Sequence, residues 1–282
     1  MKNITIITGA SSGIGKEFFR QIFAAYLKKK SRFVSVEKEI WLIARDEKRL
    51  SAAKNEILAE QNKLASLDER KVSVKIFCVD LCGEKGVKNF GSILERESEN
   101  DELKIELLVN NAGFGTYGEF CETDIWKQTR MIDLNCVSLT GICGICLPKM
   151  AEGAVIINVS SLAAFLPLGN FAVYAAAKSY VLSFSLALAA ELKDKKIKVC
   201  ALCPGSVSTN FANVASNGAR KEVLGGKPPE KIVKHCLKKA KRGHRVILYG
   251  AKWKITAFLS RFIPRYAGAR FTFLFMKRPS NP

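Results

Sequence analysis

The chain has 282 residues, 48% hydrophobic and 25% charged. That is an ordinary globular composition, and it excludes a disordered chain, a collagen-like chain and a small disulfide scaffold. The net charge of +19 is unevenly spread: Arg220 to Arg278 holds 17 basic and 2 acidic residues, which leaves the first 219 residues at about +4. No apolar run reaches the roughly 18 residues that cross a bilayer. Met1-Lys2 leads straight into Ile4–Ile7, too short for a signal segment, so a cytoplasmic location is expected. The nine cysteines lie in apolar surroundings and are expected to be small buried hydrophobes of a reducing compartment.

In chain order, Ile4–Thr8 is a short β-branched run and predicts a buried strand. A glycine-rich turn follows, then helical spacing over Lys16–Lys30 with Phe18, Phe19, Ile22, Phe23 and Tyr26 on one side. Ile40–Ala44 predicts a second strand, Asp46–Leu67 a polar helix, Val72–Val79 a third strand and Glu84–Ser98 a charged helix. Leu107–Asn110 predicts a fourth strand, Thr123–Met150 a long helix, Ala154–Ser160 a fifth strand, Tyr174–Leu192 a helix, Lys198–Leu202 a sixth strand and Val246–Tyr249 a seventh. Strands apolar on both faces and alternating with helices predict one α/β domain, a doubly wound parallel sheet with right-handed crossovers. It spans residues 1–250, and a basic amphipathic extension follows over 251–282.

The first predicted strand ends in Thr8-Gly9-Ala10-Ser11-Ser12-Gly13-Ile14-Gly15 and a helix begins at once. Glycines permit a tight turn and close backbone approach, and the helix N-terminus offers free N–H groups to a pyrophosphate. This strand–turn–helix predicts a dinucleotide site of the Rossmann type. Downstream, Tyr174 and Lys178 fall one helical turn apart on the same face. A free tyrosine titrates near 10; a neighbouring ammonium and an oxidised nicotinamide both favour phenolate. Bringing it to about 7 takes roughly 4 kcal/mol.

The glycine spacing resembles the T-G-x-x-x-G-x-G of short-chain dehydrogenases/reductases, and the likeness continues along the chain. Asn110-Asn111-Ala112-Gly113 matches N-N-A-G, Asn135 lies in the long helix, and Ser160-Ser161 closes the fifth strand. Tyr174-Ala175-Ala176-Ala177-Lys178 matches Y-x-x-x-K, and Pro204-Gly205-Ser206-Val207-Ser208-Thr209 resembles P-G-x-V-x-T. On these motifs, over residues 4 to about 210, the chain is identified as a member of the classical branch of that family. The resemblance implies an oxidoreductase interconverting a carbonyl and an alcohol by hydride transfer. It implies Tyr174 as general acid/base, Ser161 polarising the carbonyl oxygen, and Asn135 holding a water that relays protons to Lys178. It further implies cofactor contacts at Thr8, Gly9, Ser11, Ser12, Gly13, Ile14, Gly15, Asn111, Ala112, Gly113, Tyr174, Lys178, Pro204, Gly205, Val207 and Thr209, with Asp80 and Leu81 at the adenine.

The NAD-type pattern needs an acid at the end of the second strand. Here Ala44 stands there, followed by Arg45, whose guanidinium suits a 2′-phosphate. Asp46 is the expected N-cap of the next helix. NADP(H) is favoured, with NAD(H) as the alternative; no metal is expected. Cys143-x-x-Cys146 and Cys200-x-x-Cys203 fall in a helix and a strand, poor places for a zinc site. The thirty residues from Gly15 to Arg45 exceed the family's usual spacing, and Lys28–Glu39 must hold the excess.

Asn210–Gly226 takes the place of the family's substrate lid and shows no clear anionic anchor. Phe114, Tyr117, Phe120, Phe165 and Leu168 are candidates for an apolar pocket wall, or equally for plain core. The expected substrate is a small-molecule carbonyl or alcohol of apolar or lipid-like type, 3-ketoacyl or steroid among the options. A catalytically silent dinucleotide sensor is the alternative, although a sensor has no need of Asn135, Ser161, Tyr174 and Lys178 together. No nucleic-acid module accompanies the basic extension, so no nucleic-acid partner is expected; a homo-oligomer is. On a helical wheel Lys254, Arg261 and Arg265 share one face, beside an apolar stripe of Ile255, Phe258, Leu259, Phe262, Ile263 and Tyr266, with Pro264 as a kink or stop. Such a segment suits a lid, a subunit contact or the surface of an anionic membrane.

Overall fold

The computed structural model describes residues 2–28, 37–62, 72–221 and 225–281. Most of the long connection expected at Lys28–Glu39, the end of the second predicted helix and part of the 210–226 stretch lie outside the described residues. Seven parallel strands form one sheet in the order β3-β2-β1-β4-β5-β6-β7. They are β1 (Lys2–Thr8), β2 (Lys38–Ala44), β3 (Val72–Cys78), β4 (Leu103–Asn110), β5 (Met150–Val159), β6 (Lys198–Leu202) and β7 (Val246–Ile247). The chain starts in the middle, winds outward to β3, then returns past β1 to β4. That reversal leaves a crevice at the carboxyl ends of β1 and β4.

Period-two alternation feeds two cores. Ile4, Ile6, Trp41, Ile43 and Leu108 face α3 (Gly83–Asn100), α5 (Leu139–Cys146) and α6 (Ala172–Glu191), where Phe90, Leu94, Ile142, Val181 and Leu188 meet them. Ile7, Ile40, Leu42 and Val109 face the other way, toward Phe18, Phe19, Ile22 and Phe23 of α1 (Gly13–Lys28), Leu50 and Ile57 of α2 (Glu47–Asn62) and Val233 and Cys236 of α8 (Pro229–Lys241). Asp46 caps α2, its Oδ1 accepting from Arg49 N at 2.9 Å.

Three expectations are corrected. Two helical stretches, Ile125–Lys149 and Ala172–Glu191, are long and apolar enough to cross a membrane by length and composition; here they pack on the sheet, which accounts for their apolar faces. The long helix is not continuous: α4 (Ile125–Ile132) opens into one wide π turn, Asp133–Ser138, before α5. Six cysteines are buried, but Cys78 and Cys121 are exposed and Cys82 is partly so: Cys78 ends β3, Cys82 caps the start of α3 and Cys121 sits in a short 3-10 turn, Phe120–Glu122. Cys143, Cys146, Cys200 and Cys203 are buried thiols in α5, in β6 and just after it.

The extension is two helices rather than one. α9 (Ala251–Leu259) ends in a short 3-10 turn, Ser260–Phe262, and Pro264 becomes the N-cap of α10 (Arg265–Phe275). α10 lies on the body through close contacts. A Cβ on Gly169 would meet Phe273 Cβ at 2.4 Å, and one on Gly268 would meet Leu166 Cδ1 at 2.9 Å. Gly169 N donates to Thr272 Oγ1 and Asn170 Nδ2 to Phe273 O. The tail then runs to Asn281, whose amide and side chain exchange three hydrogen bonds with Ser216 O, Asn217 O and Asn217 Nδ2.

Candidate active site

The turn after β1 is built on glycines that tolerate no side chain. Gly9 and Gly13 have φ of +64° and +54°, the left-handed region that disfavours a Cβ. A Cβ on Gly15 would stand 2.2 Å from Gly9 O. Asn111 clamps the turn from β4: its Nδ2 donates to Thr8 O and Gly9 O, while Thr8 Oγ1 accepts from the backbone N–H groups of Asn111 and Ala112. Gly9, Ser11, Ser12, Gly13 and Ile14 consequently line a cleft of about 970 Å³. Thr8 and Gly15, expected among the cofactor contacts, sit behind this wall and shape the turn instead: Thr8 is buried with its hydroxyl committed, and Gly15 packs on Gly9. A backbone cradle at a helix N-terminus, held open where any Cβ would fill it, fits a pyrophosphate.

One end of the cleft is set by Ala44, Arg45, Asp46, Asp80 and Leu81. Arg49 and Arg130 join them, and Arg130 Nη2 lies 3.5 Å from Asp80 Oδ2. Neither arginine was picked out from the sequence. Arg49 stands one turn into α2, and Arg130 arrives from α4, far along the chain. Ala112 and Gly113 line the middle, and Pro204, Gly205, Val207 and Thr209 the far wall. Thr209 Cγ2 would lie 3.3 Å from a Cβ on Gly13, and Trp253 of α9 covers Gly205, where a Cβ would meet the indole at 2.5 Å.

α6 carries Tyr174 and Lys178 into the cleft beside Ser161, which follows β5. Lys178 is buried, donates from Nζ to Val159 O at 2.9 Å and stands 5.6 Å from the centre of the Tyr174 ring. Ser160 Oγ ties down the Lys178 carbonyl. Asn135 occupies the wide π turn and does not line the cleft. Its Nδ2 donates to Phe114 O and its Oδ1 accepts from Phe114 N. A Cβ on Gly113 would be 2.5 Å from Asn135 Oδ1 and 3.4 Å from Lys178 Nζ, so Asn135 reaches the lysine only across a glycine. The extra residue of a π turn re-aims a side chain, and here it delivers Asn135 to that point.

Burial dominates the electrostatics. It lowers the Lys178 ammonium from its usual 10.5 to about 8, with Cys136 and Cys203 acting weakly the other way. It raises the Tyr174 phenol, opposed by the Ser161 hydroxyl. Without an oxidised nicotinamide beside it, Tyr174 is therefore held as neutral phenol, a proton donor.

Aromatic rings close the pocket around Tyr174. Phe171 stacks on it with centroids 4.2 Å apart, Tyr117 packs edge-on to Phe171 at 4.7 Å, and Phe211 lies 5.5 Å from Tyr174. Phe114, Phe165 and Leu168 line the cleft as well, whereas Phe120 is 57% exposed and stands outside it. Phe275, Met276 and Arg278 of the extension complete the wall. The 210–226 stretch does bring a cation to it, Arg220, contrary to the reading of that stretch as lacking an anionic anchor.

The family model for short chain dehydrogenases matches residues 3–219. The chain belongs to the short-chain dehydrogenase/reductase family, and it is an NAD(P)-dependent oxidoreductase of the class that interconverts alcohols and carbonyls. It is 28% identical over 222 residues to sulfoacetaldehyde reductase 2 of Chromohalobacter salexigens, covering 77% of this chain and 78% of the relative. It is 29% identical over 267 residues to the very-long-chain 3-oxoacyl-CoA reductase of Rattus norvegicus, covering 92% and 76%. Among solved structures it shares the fold of a short-chain dehydrogenase from Sphingobium yanoikuyae in complex with NADPH, with TM-score 0.70, 24% identity, and 93% and 94% of the two chains covered.

A buried lysine held near 8 destabilises the folded chain while it is charged. The cost, about 3 kcal/mol for a shift of this size, is fully present below about pH 8 and is relieved as pH rises toward the 10.5 of a free lysine. Lys178→Met removes it and leaves the Val159 carbonyl short of a donor, about 1 kcal/mol. The cofactor-free variant is expected to be about 2 kcal/mol more stable than wild type at pH 7, with the advantage shrinking by pH 10. Urea unfolding at both pH values checks this; a variant less stable at pH 7 would contradict the burial cost.

Proposed function

We propose that the protein reduces a carbonyl to an alcohol with NADPH, or runs the reverse oxidation, through Tyr174. The observation that carries the reading is the meeting of Ser161, Tyr174 and Lys178 at one end of a glycine-cradled cleft. Bound NADPH supplies the hydride that the carbonyl carbon accepts. The Ser161 hydroxyl donates a hydrogen bond to the substrate oxygen and polarises the C=O bond. Tyr174 delivers its phenolic proton to that same oxygen, so the product is the neutral alcohol and the tyrosine is left as phenolate. Lys178, with an ammonium lowered to about 8, stabilises that phenolate and returns a proton to it, and Asn135, which faces the lysine across Gly113, is placed to hold the water that relays protons to it. Tyr174→Phe should lower turnover about 10²- to 10⁴-fold while the Kd for NADPH stays near wild type. Steady-state NADPH oxidation and fluorescence titration measure the two, and wild-type turnover by the Phe variant would end the assignment.

Preference for NADP(H) is supported by Arg45, Arg49 and Arg130 around the adenosine end, with no acid at Ala44. A guanidinium pairs with a 2′-phosphate and finds no such partner on a 2′-hydroxyl. Arg45→Asp is expected to shift the NADPH/NADH preference by about 2–4 kcal/mol toward NADH. The ratio of kcat/KM for the two cofactors reads it, and an unchanged ratio means the 2′-phosphate is recognised elsewhere.

The aromatic wall around Tyr174 supports a substrate with an apolar body, and the likeness to a reductase of very-long-chain 3-oxoacyl-CoA is in keeping with it. The outer face of the extension supports contact with an anionic membrane. Ala257, Ser260, Gly268 and Thr272 are turned to the body, while Phe258, Phe262, Tyr266 and Phe271 stay exposed, as do Lys254, Arg261 and Arg265. Aromatic side chains enter the interfacial layer and each basic residue adds about 1 kcal/mol near acidic lipid. The purified protein should sediment with vesicles containing phosphatidylserine, far less with phosphatidylcholine alone, and be released by 0.5 M NaCl; equal recovery in the supernatant with both vesicles would sink the membrane contact. Exposed Trp126, Ile132, Val137 and Tyr180 on α4, the π turn and α6 support assembly with a second copy.

A further inference from the structure

Arg278, three residues beyond α10, turns back into the cleft. Its guanidinium carbon lies 5.1 Å from the centre of the Phe171 ring and 5.8 Å from that of Tyr117. Phe171 is the ring that stacks on Tyr174, so one aromatic ring separates this cation from the reacting phenol. Its Nη1 is buried and makes no hydrogen bond, and no carboxylate pairs with it among the described residues. Arg220 reaches the same wall and pairs with no carboxylate among the described residues. Burial acts most strongly against the Arg278 charge; Tyr117 and Tyr174 favour it and Arg220 opposes it.

Two guanidinium groups on one wall, one of them with a buried orphan N–H, are an uncompensated arrangement. A buried N–H without a partner is unfavourable. The fold nonetheless holds it there. Asn281 is fastened to the end of α7 (Phe211–Ala215) by its three hydrogen bonds with Ser216 and Asn217, and α10 is fastened at Gly169 and Asn170. Arg278 is stretched between these two anchors. Cation–π contact with the two rings holds the guanidinium at this wall, and its Nη1 N–H has no partner in the protein. An arginine edge presented in this way matches an oxyanion, which takes two parallel hydrogen bonds from it.

We propose that Arg278, backed by Arg220, binds an anionic group on the substrate, a carboxylate or another oxyanion, and so orients the carbonyl against Tyr174. This rests on the carbonyl-reductase reading and narrows it: the substrate is an oxo compound with a negative charge beyond its apolar body. The cofactor phosphates lie outside this role, since Arg45, Arg49 and Arg130 serve the other end of the cleft.

The test uses the full chain with 6-oxohexanoate and its methyl ester as a matched pair, and hexanoate and hexanamide as unreactive counterparts. NADPH oxidation by wild type should favour the acid over the ester by roughly 10- to 100-fold in kcat/KM, the usual worth of a charge-assisted contact. Arg278→Gln should bring that ratio near one by raising KM for the acid, with the ester and the Kd for NADPH unchanged; Arg278→Lys should recover part of it. With NADP+ present, hexanoate should raise the Tm of wild type saturably, hexanamide should not, and Arg278→Gln should lose the response. Because Arg278 has no carboxylate partner among the described residues, and its buried N–H offsets what the two rings contribute, the Gln variant alone should melt close to wild type. Equal use of acid and ester by wild type, an equal loss on both in the Gln variant, a weakened NADPH Kd, or no hexanoate response would each overturn the proposal. A hexanoate response that depends on Arg278, without NADPH oxidation by either aldehyde, would uphold the anion site and count against the carbonyl-reductase reading alone.

Discussion

The molecule depends first on a steric contact with no room in it: the backbone of Gly15 against the carbonyl of Gly9. With 2.2 Å between that oxygen and the place of a Cβ, only hydrogen fits, and α1 can begin at Gly13, one tight turn after β1 ends at Thr8. Asn111 and Thr8 then lock the turn to the exit of β4. The same few hydrogen bonds close the sheet at its reversal point and aim the free N–H groups of α1 into the cleft. Packing on both faces of the sheet supports this junction, but the junction decides where the ligand goes.

At the other end of the cleft the governing factor is dehydration. Tyr174 and Lys178 are buried in aromatic and aliphatic surroundings, so neither is at ease when charged. Proton transfer between them moves charge through a dry site, where fixed donors act strongly. That activity is obtained at the expense of stability in the ligand-free chain, the usual position of a functional site. The two unpaired guanidinium groups add to the imbalance.

Much of this was legible in the sequence because it follows local rules. Strand positions came from β-branched apolar runs, and the order of helices and strands from their alternation; even the N-cap at Asp46 follows from residue type. The glycine turn, the Tyr174/Lys178 pair and Ser161 were visible as short patterns whose chemistry demands those residues. What escaped detection depends on tertiary contact. The π turn at Asn135 comes from bonds to Phe114, twenty-one residues away, and helical periodicity across it is hardly disturbed. Arg130 and Arg278 reach the cleft only through the folding of segments distant in the chain. In a tail with 17 basic residues from Arg220 to Arg278, nothing in sequence distinguishes the two guanidinium groups that line the cleft. Pro264, legible in the sequence as a kink or stop, divides the Lys254–Tyr266 stretch between two helices.

The indole of Trp253 has a further consequence. The protein has three tryptophans, and they occupy three distinct optical environments. Trp41 is sealed in the core, Trp126 is 73% exposed on α4, and Trp253 is laid against Gly205 on the cleft wall. Only the last shares a surface with whatever enters the cleft. Its emission overlaps the absorption of a reduced nicotinamide, so energy transfer to the bound ring would register occupancy directly, and the molecule carries its own fluorescent gauge of the site without any added label.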